Sequence, residues 1–243
     1  PTYGGVRAGG REAPGYSLPG GPVGRPGTCP KSTRGRAGEV RPRRKGSPEV
    51  SAISPHYKEQ TQAWIQKVVV GLNFCPFAAR VLRQDSIHYE VRHSFPKAVF
   101  LGECRRLDDQ PALSTSLLIL TQPDLNFDDY LGLVDKAQGW LEGAHYEGVY
   151  QLASFHPDYC FDGSARDDAA NYTNRSPFPM LHLLREQAVS DALDAYPDAE
   201  AIPDKNIACA RARGLASMRE LLQSCVEVDL RLPHPEPGSA GRP

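Results

Sequence analysis

Two short apolar stretches, residues 116–121 (SLLILT) and 149–155 (VYQLASF), decide the fold. Each is almost continuously apolar and short, which is typical of strands at the centre of a sheet. Between them, residues 127–142 carry apolar side chains at helical spacing, namely Tyr130, Leu131, Val134 and Leu141. A strand, a helix of about 15 residues and a second strand form a βαβ unit, so we predict that the two strands are parallel.

Further elements flank this unit. A first helix begins near Tyr57, and residues 87–91 alternate between apolar and polar side chains as a half-buried strand does. Residues 94–115 are irregular, with a short helix around 98–107. Residues 180–196 and 206–225 are predicted to be two closing helices.

The predicted fold class is therefore α/β. We expect a small, mainly parallel sheet of three or four strands, with a βαβ crossover and helices packed on it. One domain would occupy residues 56–228, between a disordered arm (1–55) and a disordered Pro/Gly-rich tail (229–243).

The arm is basic and poor in branched aliphatics. Residues 1–50 hold ten Lys and Arg against three Asp and Glu, with twelve Gly and eight Pro, so they cannot form an apolar core. The arm fits a remnant of a mitochondrial or plastid transit peptide, translated upstream sequence, or a solvated tail. A nucleic-acid arm is disfavoured because no aromatic residues lie among its basic ones and the domain behind it is acidic.

Composition excludes several classes of protein. No apolar run reaches the roughly 18 residues of a membrane span. The six cysteines are scattered without a C-x-x-C pair, which argues against a disulfide scaffold and indicates a reducing compartment. We expect a soluble intracellular protein, in the mitochondrion or plastid if the arm is a transit remnant and otherwise in the cytoplasm.

Polar candidates follow the second apolar strand. His156, Pro157 and Asp158 leave it directly, at the edge of the sheet where α/β proteins bind ligands. His156 is either a general base tuned by Asp158, or a structural residue whose ring bonds backbone carbonyls.

Residues 171–177 (NYTNRSP) are dense in hydrogen-bonding groups. Ser176 would cap a helix that has Pro177 at its first position. A helix start beside an arginine is a ready anion site, which either binds substrate or is ordinary capping. The predicted anion- or substrate-binding residues are Asn171, Asn174, Arg175, Ser176 and, from the helix that follows, Arg185.

Two more predicted catalytic residues, His182 and Glu186, share one side of the predicted helix 180–196 with Arg185. That helix is apolar nearly all round, so these polar side chains must be paired. Either they tie the helix to the sheet, or they line a pocket.

Cys75 is the last catalytic candidate. With Pro76 opening a short helix through Leu82, its thiol would lie at a helix N-terminus, where the thiolate is favoured. The alternative is a small buried apolar residue between two phenylalanines.

Three separated motifs resemble one known family: residues 71–78 (GLNFCPFA), 153–159 (ASFHPDY) and 171–186 (NYTNRSPFPMLHLLRE). They are similar to the domain of unknown function 1415 family, over residues 60–223. The resemblance implies that these segments are the family's hallmarks, and it supplies no activity. It also implies a helix between the first two strands, where residues 93–115 look irregular.

Three functions are compatible with these residues. The first is a small-molecule hydrolase or group-transfer enzyme acting on an anionic substrate, with Cys75 as nucleophile and His156 or His182 as base. The second is a non-catalytic module that binds an anion or a protein. The third is a zinc or iron enzyme with ligands His156, His182 and Asp158. No cofactor is otherwise predicted, and the sequence leaves oligomeric state open.

Overall fold

A computed structural model describes residues 56–122 and 124–227. It contains one sheet of four strands in the order β1-β2-β4-β3. The strands are β1 (Ile87–Arg92), β2 (Thr115–Leu120), β3 (Tyr150–Phe155) and β4 (Met180–Arg185). The predicted arm (1–55) and tail (229–243) lie outside the described residues.

The α/β class is confirmed, and one detail of the sheet is corrected. β1 and β2 are parallel, but β4 pairs antiparallel with both β2 and β3, so two of the three pairings are antiparallel. β2 and β3 point the same way, as predicted, yet β4 separates them. The crossover between neighbouring parallel strands is instead β1–α3–β2, where α3 spans Lys97–Asp109. The helix implied by the family resemblance is therefore present.

The described residues form seven α-helices, which surround the sheet. Besides α3 they are α1 (His56–Trp64), α2 (Ala78–Arg83), α4 (Phe127–Gly143), α5 (Glu186–Asp194), α6 (Ile202–Arg213) and α7 (Leu215–Val226). A π-helical segment, Ile65–Val70, continues α1. No helix of the described residues is both long and apolar enough to cross a membrane.

The predicted helix 206–225 is two helices, because the chain breaks at Gly214. This glycine has a φ of 84°, a conformation that residues with a Cβ rarely adopt.

The predicted helix 180–196 is wrong over its first six residues. Residues 180–185 (MLHLLR) form β4, at the centre of the sheet, and only Glu186–Asp194 is helical. A short apolar run fits a buried strand as well as a buried helix, and pairing on both sides decided the outcome here. His182 lies opposite Leu117 of β2 and Ala153 of β3.

Each face of the sheet carries its own apolar core. Leu118, Leu120, Leu181 and Leu183 face α3 and α4 on one side. Ile119, Phe155, Met180 and Leu184 face Trp64 and Val68 of the first helical segment, with Met218 of α7, on the other. Alternation along the strands therefore determines which core each neighbouring polar residue joins.

Candidate functional site

The sheet separates the two histidines that the sequence predicted as alternative bases. Phe155, the last residue of β3, belongs to the core on the α1 side. The next residue, His156, packs against Phe127 and Tyr130 of α4 on the opposite side, with ring centroids 5.3 and 4.9 Å away. His182 faces the α1 side, because it is two residues from both Met180 and Leu184. The predicted residues therefore form two regions.

The first region lies beyond the end of β3. It comprises His156, Asn171, Asn174, Arg175 and Ser176, and is called here the sheet-edge cluster. His156 is 2% exposed. Its Nδ1 accepts a hydrogen bond from the Asp158 N–H (3.0 Å), so its Nε2 carries the proton and donates to the Leu125 carbonyl (3.1 Å). Burial lowers the pKa of His156. Both ring nitrogens are therefore occupied by backbone groups.

The two asparagines of the cluster are fully buried and also bind backbone. The side chain of Asn171 accepts from the Phe161 N–H (3.1 Å) and donates to the Ala165 carbonyl (2.8 Å). The side chain of Asn174 donates to the Ser154 carbonyl (3.3 Å). Since a buried backbone group without a partner is costly, these bonds stabilise the loop between β3 and β4.

Arg175 and Ser176 also bond to carbonyl groups. The Arg175 guanidinium donates from Nε to Tyr159 (3.1 Å) and from Nη2 to Arg166 (2.9 Å), while its Cζ lies 4.7 Å from the centre of the Tyr172 ring. Ser176 donates to the Phe178 carbonyl (2.6 Å). The predicted Ser176 N-cap is wrong because the segment that follows Pro177 is a strand.

Among the described residues, neither remaining predicted acid bonds a histidine ring through its carboxylate, although the charge of Asp158 opposes part of the effect of burial on the pKa of His156. Asp158 is solvent-exposed, and its backbone N–H is the group that bonds His156. Glu186 is the first residue of α5, and its N–H donates to the Val149 carbonyl (3.0 Å). The predicted helical face shared by His182, Arg185 and Glu186 does not exist, because His182 and Arg185 belong to β4.

The second region is a cavity of about 130 Å³ on the α1 side of the sheet, called here the Cys75–His182 cavity. Cys75 and His182 both line it, although 107 positions separate them in the chain. Most of the lining is apolar and includes Trp64, Phe155, Leu184 and Val189. Ala188 of α5, which also lines it, is solvent-exposed, so this end lies beside the protein surface.

His182 has a defined tautomer in the cavity. The Thr115 hydroxyl donates its single hydrogen to the Leu183 carbonyl. Its oxygen lies 2.6 Å from His182 Nε2 and must accept there, so Nε2 carries the imidazole proton. Burial lowers the pKa of His182 to about 3, which keeps the ring neutral. Nδ1 is then an unprotonated acceptor, without a hydrogen-bond partner among the described residues.

Cys75 follows the turn after the π-helical segment. It is 5% exposed, and Asn206 of α6 holds the preceding residue through a 2.8 Å bond from its Nδ2 to the Phe74 carbonyl. Burial raises the pKa of Cys75, and backbone N–H groups of Phe77 and Ala78 oppose that effect. The resting thiol is therefore protonated at neutral pH, as in the buried alternative that the sequence left open and unlike the thiolate of the catalytic one.

The other polar side chains of the cavity already have partners. Ser114 bonds Ser86 (2.8 Å between hydroxyls), and Thr173 donates to the Ala170 carbonyl (2.9 Å). Arg185 donates to carbonyls at the end of α3 and just after it, from Nη2 to Leu107 (2.5 Å) and from Nε to Leu113 (3.1 Å). Among the described residues, the polar groups of the wall that have no hydrogen-bond acceptor or donor opposite them are thus Nδ1 of His182 and the S–H of Cys75.

The predicted metal ligands His156, His182 and Asp158 do not come together. In the part of the chain that the structure describes, one group of three His, Cys, Asp or Glu residues has ligand atoms within 4.8 Å of one another: His88, Glu90 and Glu103. Both carboxylates already have cationic partners, because Glu90 pairs with Arg92 and Glu103 with Arg106 (3.1 Å). The alternation of residues 87–91 had indicated only a half-buried strand, and Glu103 lies on a separate helix, so no local pattern indicated this group.

Sequence reasoning also missed Thr115, which orients His182. A threonine at the start of a strand is common, and only its position opposite Leu184, one residue from Leu183, gives it this contact. A pairing between segments so far apart in the chain leaves no local pattern.

The family model for a protein of unknown function (DUF1415) matches residues 56–220 of the chain. The chain therefore belongs to the DUF1415 family, as the three motifs indicated. No curated protein and no solved structure matches it. The three motifs contribute Cys75, Phe155, Thr173 and His182 to the lining of the cavity.

Proposed function

We propose that the protein is a small-molecule enzyme of the hydrolase or group-transfer type, with Cys75 as nucleophile and His182 as general base. The observation that carries this proposal is that both side chains line one cavity. A thiol and a nearby imidazole are the groups that nucleophilic catalysis by cysteine requires. The free Nδ1 of His182 supplies an acceptor for the thiol proton, while Thr115 holds the ring orientation.

The proposed reaction is attack on an activated carbonyl. The Cys75 sulfur forms a bond to the carbonyl carbon as its proton passes to His182 Nδ1. The leaving group then departs with that proton, and water or a second acceptor releases the acyl group. Since burial keeps both resting side chains neutral, the thiolate would form only during attack, when substrate is present.

Acylation by phenyl acetate, followed by peptide mass spectrometry, tests this proposal. We expect S-acetylation of Cys75 at a higher rate than of Cys209, which is more exposed and serves as an internal control. His182→Gln should slow the acylation of Cys75 and leave that of Cys209 unchanged. Equal rates at the two cysteines, or no effect of His182→Gln, would refute a Cys75–His182 pair.

A non-catalytic binding module is the second candidate, and the protonation states favour it. A base with a pKa of about 3 is weak, and a buried thiol with a raised pKa is a poor nucleophile. In that case the cavity binds a ligand that is released unchanged.

A metal-dependent enzyme is the third candidate. Its support is the group of His88, Glu90 and Glu103, which combines a nitrogen with two carboxylates. Because Arg92 and Arg106 already neutralise the carboxylates, we rank it below the other two.

A further inference from the structure

We infer that the ligand of the Cys75–His182 cavity is a neutral, mainly apolar molecule, about the size of one six-membered ring, that donates a hydrogen bond to His182 Nδ1. This inference rests on the proposed function for its site. It describes a ligand that does not react or the protonated leaving group, because a donor on Nδ1 occupies the lone pair that would take the Cys75 proton. It replaces the anionic molecule expected from the sequence.

The size follows from the cavity volume of about 130 Å³. An apolar protein cavity of about 150 Å³ accommodates benzene, so a molecule of that size fits here. The aromatic and aliphatic walls, among them Trp64, Phe155 and Val189, favour an apolar body over a polar one.

That the ligand is neutral follows from the two arginines that were predicted from the sequence to bind an anion. Arg175 lies in the sheet-edge cluster and donates from Nε and Nη2 to backbone carbonyls. Arg185 contributes to the cavity wall, but its guanidinium lies on the opposite side of the sheet, where it donates to carbonyls of Leu107 and Leu113 and lies 6.0 Å from the centre of the Tyr150 ring. An anion in the cavity would meet a neutral imidazole and apolar carbon, and it would lose its hydration without compensation.

That the ligand carries a hydrogen-bond donor follows from the hydrogen bonds of the side chains that line the cavity. Ser114, Thr115 and Thr173 already direct their hydroxyl groups to other partners. Within residues 56–122 and 124–227, His182 Nδ1 is an acceptor without a donor. A hydroxyl, amide or amine hydrogen on the ligand would complete that bond, and a ligand lacking one would leave the acceptor unsatisfied.

Three probes of similar size separate these properties: phenol, toluene and benzoate. Binding is measured at pH 7.5 by NMR titration of the intact chain. We expect phenol to bind about fivefold more tightly than toluene, the factor that one net hydrogen bond of typical strength supplies. Benzoate should not bind in the cavity. In His182→Leu, phenol and toluene should bind equally.

Matched variants tie the binding to this cavity. Ala78 and Ala79 are neighbours in α2, and Ala78 alone of the two lines the cavity. Ala78→Leu should weaken phenol binding at least tenfold, and Ala79→Leu should not. Should Ala78→Leu fail to fold, Ala188→Phe serves instead, because Ala188 is exposed and lines the cavity.

The inference is overturned if benzoate binds in the cavity at least as tightly as phenol, or if Ala78→Leu or Ala188→Phe leaves phenol binding unchanged. Absence of phenol binding overturns it as well. Phenol binding without acylation of Cys75 supports the inference while refuting the proposed enzyme, so the two failures are distinguishable.

Discussion

The sheet-edge cluster and the Cys75–His182 cavity contain similar side chains, and their hydrogen bonds differ. At the sheet edge, both ring nitrogens of His156 bond to backbone groups, and so do both polar side-chain atoms of Asn171, Oδ1 and Nδ2. In the cavity, His182 bonds through Nε2, and its Nδ1 has no hydrogen-bond partner among the residues that the structure describes. Polar groups that satisfy one another stabilise a loop, whereas a group with unused capacity beside a cavity can serve a ligand. We therefore infer a structural role for the first region and propose the second as the site of chemistry.

The largest effect on stability is expected from Asn171→Ala. The change leaves the Phe161 N–H and the Ala165 carbonyl without partners in a fully buried position, which should lower the free energy of unfolding by about 3 kcal/mol. Urea denaturation measures it. Gln138→Ala, at an exposed position of α4, is the control, with an expected change within about 0.5 kcal/mol. A loss below about 1 kcal/mol for Asn171→Ala would contradict the structural role.

Replacing each of the two histidines by leucine should change the free energy of unfolding by different amounts. His156→Leu removes the partners of Leu125 and Asp158 and should lower the free energy of unfolding by about 2 kcal/mol. His182→Leu should lower it by less than about 1 kcal/mol, because Thr115 keeps its bond to Leu183. Thermal and urea unfolding of the pair check this order. The reverse order would exchange the roles of the two regions.

The lowered pKa of His182 should also be visible in the pH dependence of the free energy of unfolding. Its pKa is about 3 in the folded chain, against 6.5 for an ordinary histidine. The unfolded chain therefore binds a proton below pH 6.5 that the folded chain does not, and stability falls as the pH decreases from 6.5 towards 3.

Relative to His182→Leu, the free energy of unfolding of the wild type should fall by up to about 1.4 kcal/mol for each unit by which the pH decreases in that range. Urea denaturation at pH 7.5, 6.0 and 5.0 measures the difference, and His156, present in both proteins, cancels from it. Parallel stability curves would show that His182 is not buried as a neutral ring.

The smallest effect on stability is expected from divalent metal. A clear effect would break the comparison, because the site of chemistry would then lie in neither region. Because Arg92 and Arg106 neutralise Glu90 and Glu103, Zn²⁺ or EDTA should leave the melting temperature unchanged. Thermal unfolding with His88→Ala as the control checks this. A rise with Zn²⁺ that His88→Ala abolishes would move the candidate site to β1 and α3.

Much of the fold could be predicted from local patterns. Strands β1, β2 and β3 and helix α4 each have a periodicity that fits one structure. The failures have a physical cause. Residues 180–185 fit a buried strand or a buried helix, and their place between β2 and β3 depends on pairing between distant segments. The break at Gly214 was missed because a single glycine is tolerated within a helical pattern.

The sequence identified individual candidate residues, but it did not indicate how they are grouped in space. Cys75, His156 and His182 were all identified from their chemistry and context. Their separation depends on Phe155 and His156 facing opposite sides of the sheet, and on β4 turning His182 towards Cys75's side. Strand pairing fixes both features, so the sequence alone could not divide the residues into two regions.

The most direct test of the account is ¹⁵N NMR of the imidazole nitrogens of His156 and His182 between pH 4 and 8, with and without phenol. The account predicts that the His182 ring stays neutral, with its proton on Nε2, down to about pH 5, and that His156 titrates below the 6.5 of an ordinary histidine. It also predicts that phenol shifts the Nδ1 signal of His182 and leaves that of His156 unchanged. A His182 ring that titrates near pH 6.5, or a phenol-induced shift at His156 alone, would contradict it.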